Sequence, residues 1–203
     1  MPLLGSLDRR SEPGPTPRHR LLWPDPAYDD VPDMKNDERP VPQYDGDERT
    51  TLAGFLDFQR ATLEWKCDGL SDEQLRRRPL TTSAMSLLGL VRHLADVEQH
   101  WFRVSLDGQT PSWHYWHRGP DQSDTDWEVE SADVVESFGA WREEVDHARR
   151  IVADSESLDR SFDHPYDGPV TLRWILTHMI EEYARHNGHA DLMREAIDGA
   201  VGE

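Results

Sequence analysis

Between residues 172 and 197 the chain carries an unbroken helical pattern whose inward stripe is interrupted by polar residues, and this limits the fold more than any other feature. Positions 175, 179, 182, 186, 189, 193 and 196 advance by alternating steps of four and three and read Ile, Met, Glu, His, His, Met, Ala. That rhythm is the seam of a helix packed in a bundle. Glu182, His186 and His189 therefore stand where a core stripe belongs. An uncompensated carboxylate there costs several kcal/mol, so Glu182 must be paired, coordinated to a metal, or facing a water-filled pocket.

Such a seam needs partner helices, and the chain offers three. LLGLVRHLADVEQHWFRVSL, residues 87–106, spaces Leu87, Leu90, Leu94, Val97 and Trp101 by threes and fours and forms the second long helix. The first runs from Thr51 to about Gly69, with Leu52, Phe55, Leu56, Ala61, Leu63 and Trp65 on its apolar side, and Ser71-Asp72-Glu73-Gln74 then starts a short capped turn. The third covers about Ala132 to Asp154, with Val135, Phe138, Trp141, Val145 and Ile151 inward. The fourth runs from about Thr171 to Ile197 and stops at Asp198-Gly199. Residues 155–170 read as a loop, and no β-hairpin alternation competes. The Gly/Pro-punctuated stretch from Asp107 to Ser131 is too long for a simple turn and is a candidate functional loop. The expected fold is all-α: an antiparallel four-helix bundle with a long connection, possible as a crossover, between the second and third helices.

Residues 1–47 hold nine of the fourteen prolines and few apolar side chains, too few to offset the entropy of ordering. They read as a flexible tail ahead of one domain over 48–203, with LLWPDPAY around Trp23 as a piece that could dock and Met34 as an alternative start. No run approaches the roughly 18 apolar residues of a membrane span, and the N-terminus lacks the apolar core of a secretory signal, so the expected location is cytoplasmic. A formal charge of -18 opposes binding to a phosphate backbone, which argues against nucleic acid as a partner. The single cysteine, Cys67, can form no internal disulfide and no cysteine-rich zinc site, so any metal must rest on His and carboxylates. It reads as a buried, inert thiol. Neither a phosphate-cradling glycine loop nor a nucleophile elbow is present.

Glu182 and His186, four apart, project from one helix face and can reach one cation. His93, on the stripe Leu90, His93, Val97, His100, points toward the core from the second helix and can supply a third ligand. A histidine on an apolar face serves packing or a surface ion pair more often than a metal, so spacing alone leaves those readings open. His178 can be a ligand or face a neighbouring helix. His189 can be an outer contact or touch substrate, and His100 can pack or line a pocket. His114 and His117, in PSWHYWHRGP, lie in an aromatic loop that either covers a pocket or docks its tryptophans on the bundle.

MSLLGLVRHLADVEQHWFR (85–103) and LRWILTHMIEEYARHNGHADLMREAIDG (172–199) are long, specific stretches. Through them the chain from about Asp47 to Glu203 resembles the DinB-like superfamily of metalloenzymes, and most closely its actinobacterial branch, a domain of unknown function. The resemblance implies a four-helix bundle and a divalent metal, zinc by its donor set, held by His93, Glu182 and His186. Many members carry His where Glu182 stands. The mycothiol-dependent maleylpyruvate isomerase group carries Glu, which points to thiol-dependent chemistry on a small-molecule substrate: S-transfer or thiol-assisted isomerisation by a low-molecular-weight thiol of the mycothiol type. Glu98 and His189 are then candidates to orient the thiol or move a proton, and the same likeness makes a homodimer an expectation. Metal-dependent hydrolysis and a non-catalytic metal- or small-molecule-binding stress protein remain alternatives.

Overall fold

The computed structural model describes residues 39–116, 125–164 and 168–201. The tail reading for residues 1–38, with Trp23 and Met34, lies outside them, as does His117. Residues 39–47 run beside the first helix, where the Arg39 guanidinium sits over the rings of Phe58 and Trp65 at 4.8 and 4.5 Å and donates to Thr62 Oγ1 at 3.1 Å.

Among the described residues, five α-helices follow: α1 Glu48–Cys67, α2 Asp72–Arg76, α3 Leu87–Glu98, α4 Val134–Asp154 and α5 Leu172–Asp198. Each begins at a side chain that accepts a free backbone N–H of the first turn: Asp47, Ser71, Ser86, Asp133 and Thr171. At α2 the cap is reciprocal, Gln74 reaching back to Ser71 N at 2.9 Å. α5 ends where Gly199 adopts φ 79°, a left-handed backbone conformation that suits glycine, with its N–H bonded to Glu195 O.

The four long helices make the bundle, and cross-links between them give its directions. α1 and α5 run parallel: Arg173 reaches Glu48 at their starts, Asn187 reaches Gln59 midway, and Arg194 reaches the carbonyls of Lys66 and Asp68 at their ends. α1 and α4 run antiparallel, through Arg142 to Glu64, Arg149 to Asp57, and Arg49 to the Val152 carbonyl. α3 and α5 are antiparallel, since His93 meets Glu182 whereas Trp101, further along, meets Trp174. The long connection between α3 and α4 is thus a crossover that carries the chain back along the bundle. Between the helices lies a core in which Leu87, Leu88, Leu90 and Leu94 of α3 pack with Leu56 and Leu63 of α1 and Leu172, Ile175, Leu176 and Met179 of α5, all essentially sealed from solvent.

Three local features depart from the sequence expectations. Residues 161–171 contain a short antiparallel hairpin, β1 Ser161–His164 with β2 Gly168–Thr171, where a loop was expected. Four-residue strands with one apolar pair, Phe162 opposite Val170, are too short to register as alternation. The second long helix does not stay α-helical: from Gln99 to Leu106 it winds as a π-helix. Phe55 and Val135, placed on apolar sides by periodicity, are largely exposed.

Candidate metal centre and adjoining cleft

α3 and α5 cross so that His93, Glu182 and His186 converge, each offering one donor atom within 4.8 Å of the others. Glu182 Oε1 lies 3.6 Å from His93 Nε2 and 3.3 Å from His186 Nε2. Ligand atoms about 2.0–2.2 Å from a tetrahedral ion are about 3.3–3.6 Å apart, so these two edges have the spacing such an ion requires. Two imidazoles and a carboxylate are a donor set for a divalent cation, and three protein ligands leave a coordination position open. The residues present fit the group.

Their orientation is built by neighbours. His93 Nδ1 lies 2.8 Å from Asp126 Oδ2, which leaves Nε2 to face Glu182. A carboxylate behind a histidine ligand fixes its tautomer and raises its basicity. Asp126 sits in a short 3-10 turn, Thr125–Trp127, tied to α3 by Arg92, which donates to the carbonyls of Asp126 and Thr125. The next residue, Trp127, stacks on the His93 ring with centroids 5.3 Å apart and planes 22° from parallel. Gly89, one turn before His93, makes room for this ring: a Cβ there would fall 2.7 Å from Trp127 Cε3. On the other side, His189 Nδ1 lies 3.5 Å from His186 Nδ1.

Electrostatics follow from the geometry. Burial pulls His93 down, but hydrogen bonds to Asp126 and Glu182 outweigh it and hold the imidazole up at about 9. The His186 and His93 rings keep Glu182 well below the usual carboxylate range. Burial, then the nearby His186, lowers His189, and burial lowers His100.

Beside the centre a largely apolar cleft of about 290 Å³ opens, lined by His93, Asp96, Val97, His100, Trp101, Trp113, Trp116 and Asp126. His100 therefore lines it, between Trp101 and Trp113 at 4.9 and 5.8 Å. His178 lies against Trp101 and Trp174, a turn away from the three converging donors. His114 takes Glu144 at 2.9 Å instead of entering the cleft. Glu98 is a correction. Five positions after His93 it is rotated about 140° round the helix, and its carboxylate is fully buried, bonded to Arg60 at 2.8 and 2.7 Å and accepting from Tyr183 Oη at 2.8 Å. It serves the core and does not face the cleft. Cys67 is buried, and burial pushes its thiol up to about 12, so it is no nucleophile.

Asp126 and Trp127 are the site residues that sequence reasoning missed, whereas Trp113 and Trp116 lie in the aromatic loop expected either to cover a pocket or to dock on the bundle, and they line the cleft. All four belong to the long crossover, where no helical phase tells which side chains return to the bundle; its length and the aromatic run PSWHYWHRGP were the signals, and neither pointed to Asp126 or Trp127.

No curated protein sequence matches the chain. Among solved structures, that of a conserved protein of locus from Enterococcus faecalis superposes with a TM-score of 0.53 at 18% identity, covering 73% of this chain and 96% of that one, a likeness of fold. The sequence pattern of the family described as mycothiol-S-transferase matches residues 51–199, which include α3 and α5, the helices that carry His93, Glu182 and His186, and the crossover after α3. By that match the chain belongs to the mycothiol-S-transferase family.

Proposed function

We propose that this protein is a cytoplasmic, zinc-dependent transferase that joins the sulfur of mycothiol to a small electrophile. The observation that carries this is the convergence of His93, Glu182 and His186 at the edge of a cleft large enough for a small molecule, in a chain of the mycothiol-S-transferase family. A divalent ion held by His93, Glu182 and His186 would supply the Lewis acidity that keeps a thiol ionised at neutral pH. The chain's own part is orientation. Asp126 and Trp127 hold the His93 ring from its Nδ1 edge and its face. His189 occupies the far edge of His186. The carboxylate of Glu182 stays ionised beside both rings and adds the one negative charge among the three donors. The apolar walls keep water from competing with the thiol for the electrophile. In the overall reaction the thiol loses its proton to solvent, an S–C bond forms, and the leaving group departs with its bonding electrons.

The test is a conjugation assay with purified protein, mycothiol and a chromogenic electrophile such as 1-chloro-2,4-dinitrobenzene. Turnover should require mycothiol, fall on chelation, return on adding zinc, and be abolished in His186→Ala. Turnover that survives both chelation and His186→Ala overturns the reading.

A further inference from the structure

The cleft's walls define what it can hold. Val97, His100 and Trp101 form one side, on α3 and the start of the π-helix, and Trp113 and Trp116 form the other, on the crossover. The wider i→i+5 winding closes the angle between consecutive side chains, so adjacent residues His100 and Trp101 both reach the cleft; π-helical turns recur at functional sites for reasons of this kind.

The tryptophan-bearing loop is held in advance of any ligand. Both carboxylate oxygens of Asp96 are occupied by backbone N–H groups of the loop: His114 donates to Oδ1 at 2.8 Å, and Tyr115 and Trp116 donate to Oδ2. The Gln99 side chain clamps the same loop at Ser112, giving a hydrogen bond to its carbonyl at 3.1 Å and taking one from its N–H at 3.3 Å. Trp113 and Trp116 meet edge to face at 5.3 Å. A preorganised aromatic wall binds flat π-surfaces without an ordering penalty.

Polar recognition is sparse. Asp96 is saturated, and Asp126 gives Oδ2 to His93. Asp126 lines the cleft, and its buried Oδ1 has no hydrogen-bond partner among the described residues. A buried acceptor left empty costs about 1–3 kcal/mol, which a ligand donor recovers.

We propose that this cleft is the electrophile subsite, and that it selects a planar, uncharged aromatic molecule whose hydrogen-bond donor meets Asp126 Oδ1. The inference rests on the thiol-transfer reading and adds the substrate class. The cleft is at the small end of ligand pockets, which run roughly 300–1,000 Å³, and so takes one compact ring system. The polyhydroxylated head of mycothiol would leave most of its hydroxyls against carbon there. An anion would face Asp126 Oδ1, and a cation would lie beside the metal centre.

Zinc-loaded protein titrated calorimetrically with 2-naphthol, which is flat, unreactive and carries one O–H, tests this apart from catalysis. The structure predicts that 2-naphthol binds, that 2-methoxynaphthalene, lacking the donor, binds about fivefold or more weakly, and that cyclohexanol does not bind detectably. Trp113→Ala should weaken 2-naphthol about tenfold with metal content unchanged. Naphthol binding no tighter than cyclohexanol, equal affinity for the methyl ether, an unaffected Trp113→Ala variant, or displacement of naphthol by mycothiol would each overturn the assignment. If thiol transfer itself is wrong, no electrophile gives conjugate, yet naphthol still binds, so the two failures are told apart.

Discussion

At the scale of single residues, the candidate metal centre depends on the side chains that touch His93, Glu182 and His186 as much as on those three. Asp126→Asn keeps the shape behind His93 but removes the charge that orients it. Metal affinity, read by competition with a chromophoric chelator, should fall by about 10–100-fold; an unchanged affinity would reduce Asp126 to packing. Gly89→Ala tests the other support, since its methyl group would occupy space now filled by the Trp127 ring. The ring must shift and loosen its stack on His93, so weaker metal binding is expected with helical content retained. The cluster itself was legible in the sequence because Glu182 and His186 break an otherwise apolar seam and His93 lies on a matching stripe, and the three side chains converge in the fold. Asp126 was not, because its proximity to His93 is made by a turn 33 residues further along the chain, and no local pattern encodes that return.

At the scale of elements, one buried network fixes how α1, α3, α4 and α5 face each other. The Arg60 guanidinium of α1 holds Glu98 of α3, Tyr183 of α5 donates to the same carboxylate, and Trp141 Nε1 of α4 donates to Tyr183 Oη at 2.8 Å. Tyr183 sits between Glu182 and His186 in sequence, so the network also sets the rotation of α5 that turns them toward His93. Removing one partner strands a buried charge. Arg60→Ala should therefore cost about 3–5 kcal/mol in urea unfolding, and Tyr183→Phe about 1–2 kcal/mol; a near-neutral Arg60→Ala would show that the pair contributes nothing net. The helices around this network were readable from their period, as were the cap at Ser71 and the stop at Gly199. The π-helix was not, since its residues keep helical spacing, and the hairpin was too short to show alternation.

At the scale of the whole molecule, the crossover is held to the bundle by charge. Glu144 of α4 meets Arg103, Gln99 and His114 at 2.9, 3.1 and 2.9 Å, binding α4 to the π-helix and to the loop that carries Trp113. Burial opposes its ionisation, but His114 and Arg103 prevail and hold its carboxyl at about 2. A carboxyl lowered on folding contributes stability that is complete above its ordinary value near 4.5 and is lost as pH falls toward 2. Acid unfolding of Glu144→Gln should accordingly be flatter than wild type across that window, measured by circular dichroism at fixed temperature. No described helix is long and apolar enough to cross a membrane, and the bundle supplies the rigid frame on which two helices and one crossover meet. The central claim is that this meeting point holds a metal. Metal content by mass spectrometry on tag-free protein purified without added metal, comparing wild type with Glu182→Ala, tests it most directly. The account predicts about one equivalent of zinc in the wild type and loss of it in the variant, with helical content intact in both. No metal in the wild type even after reconstitution, or full occupancy in the variant, would contradict it.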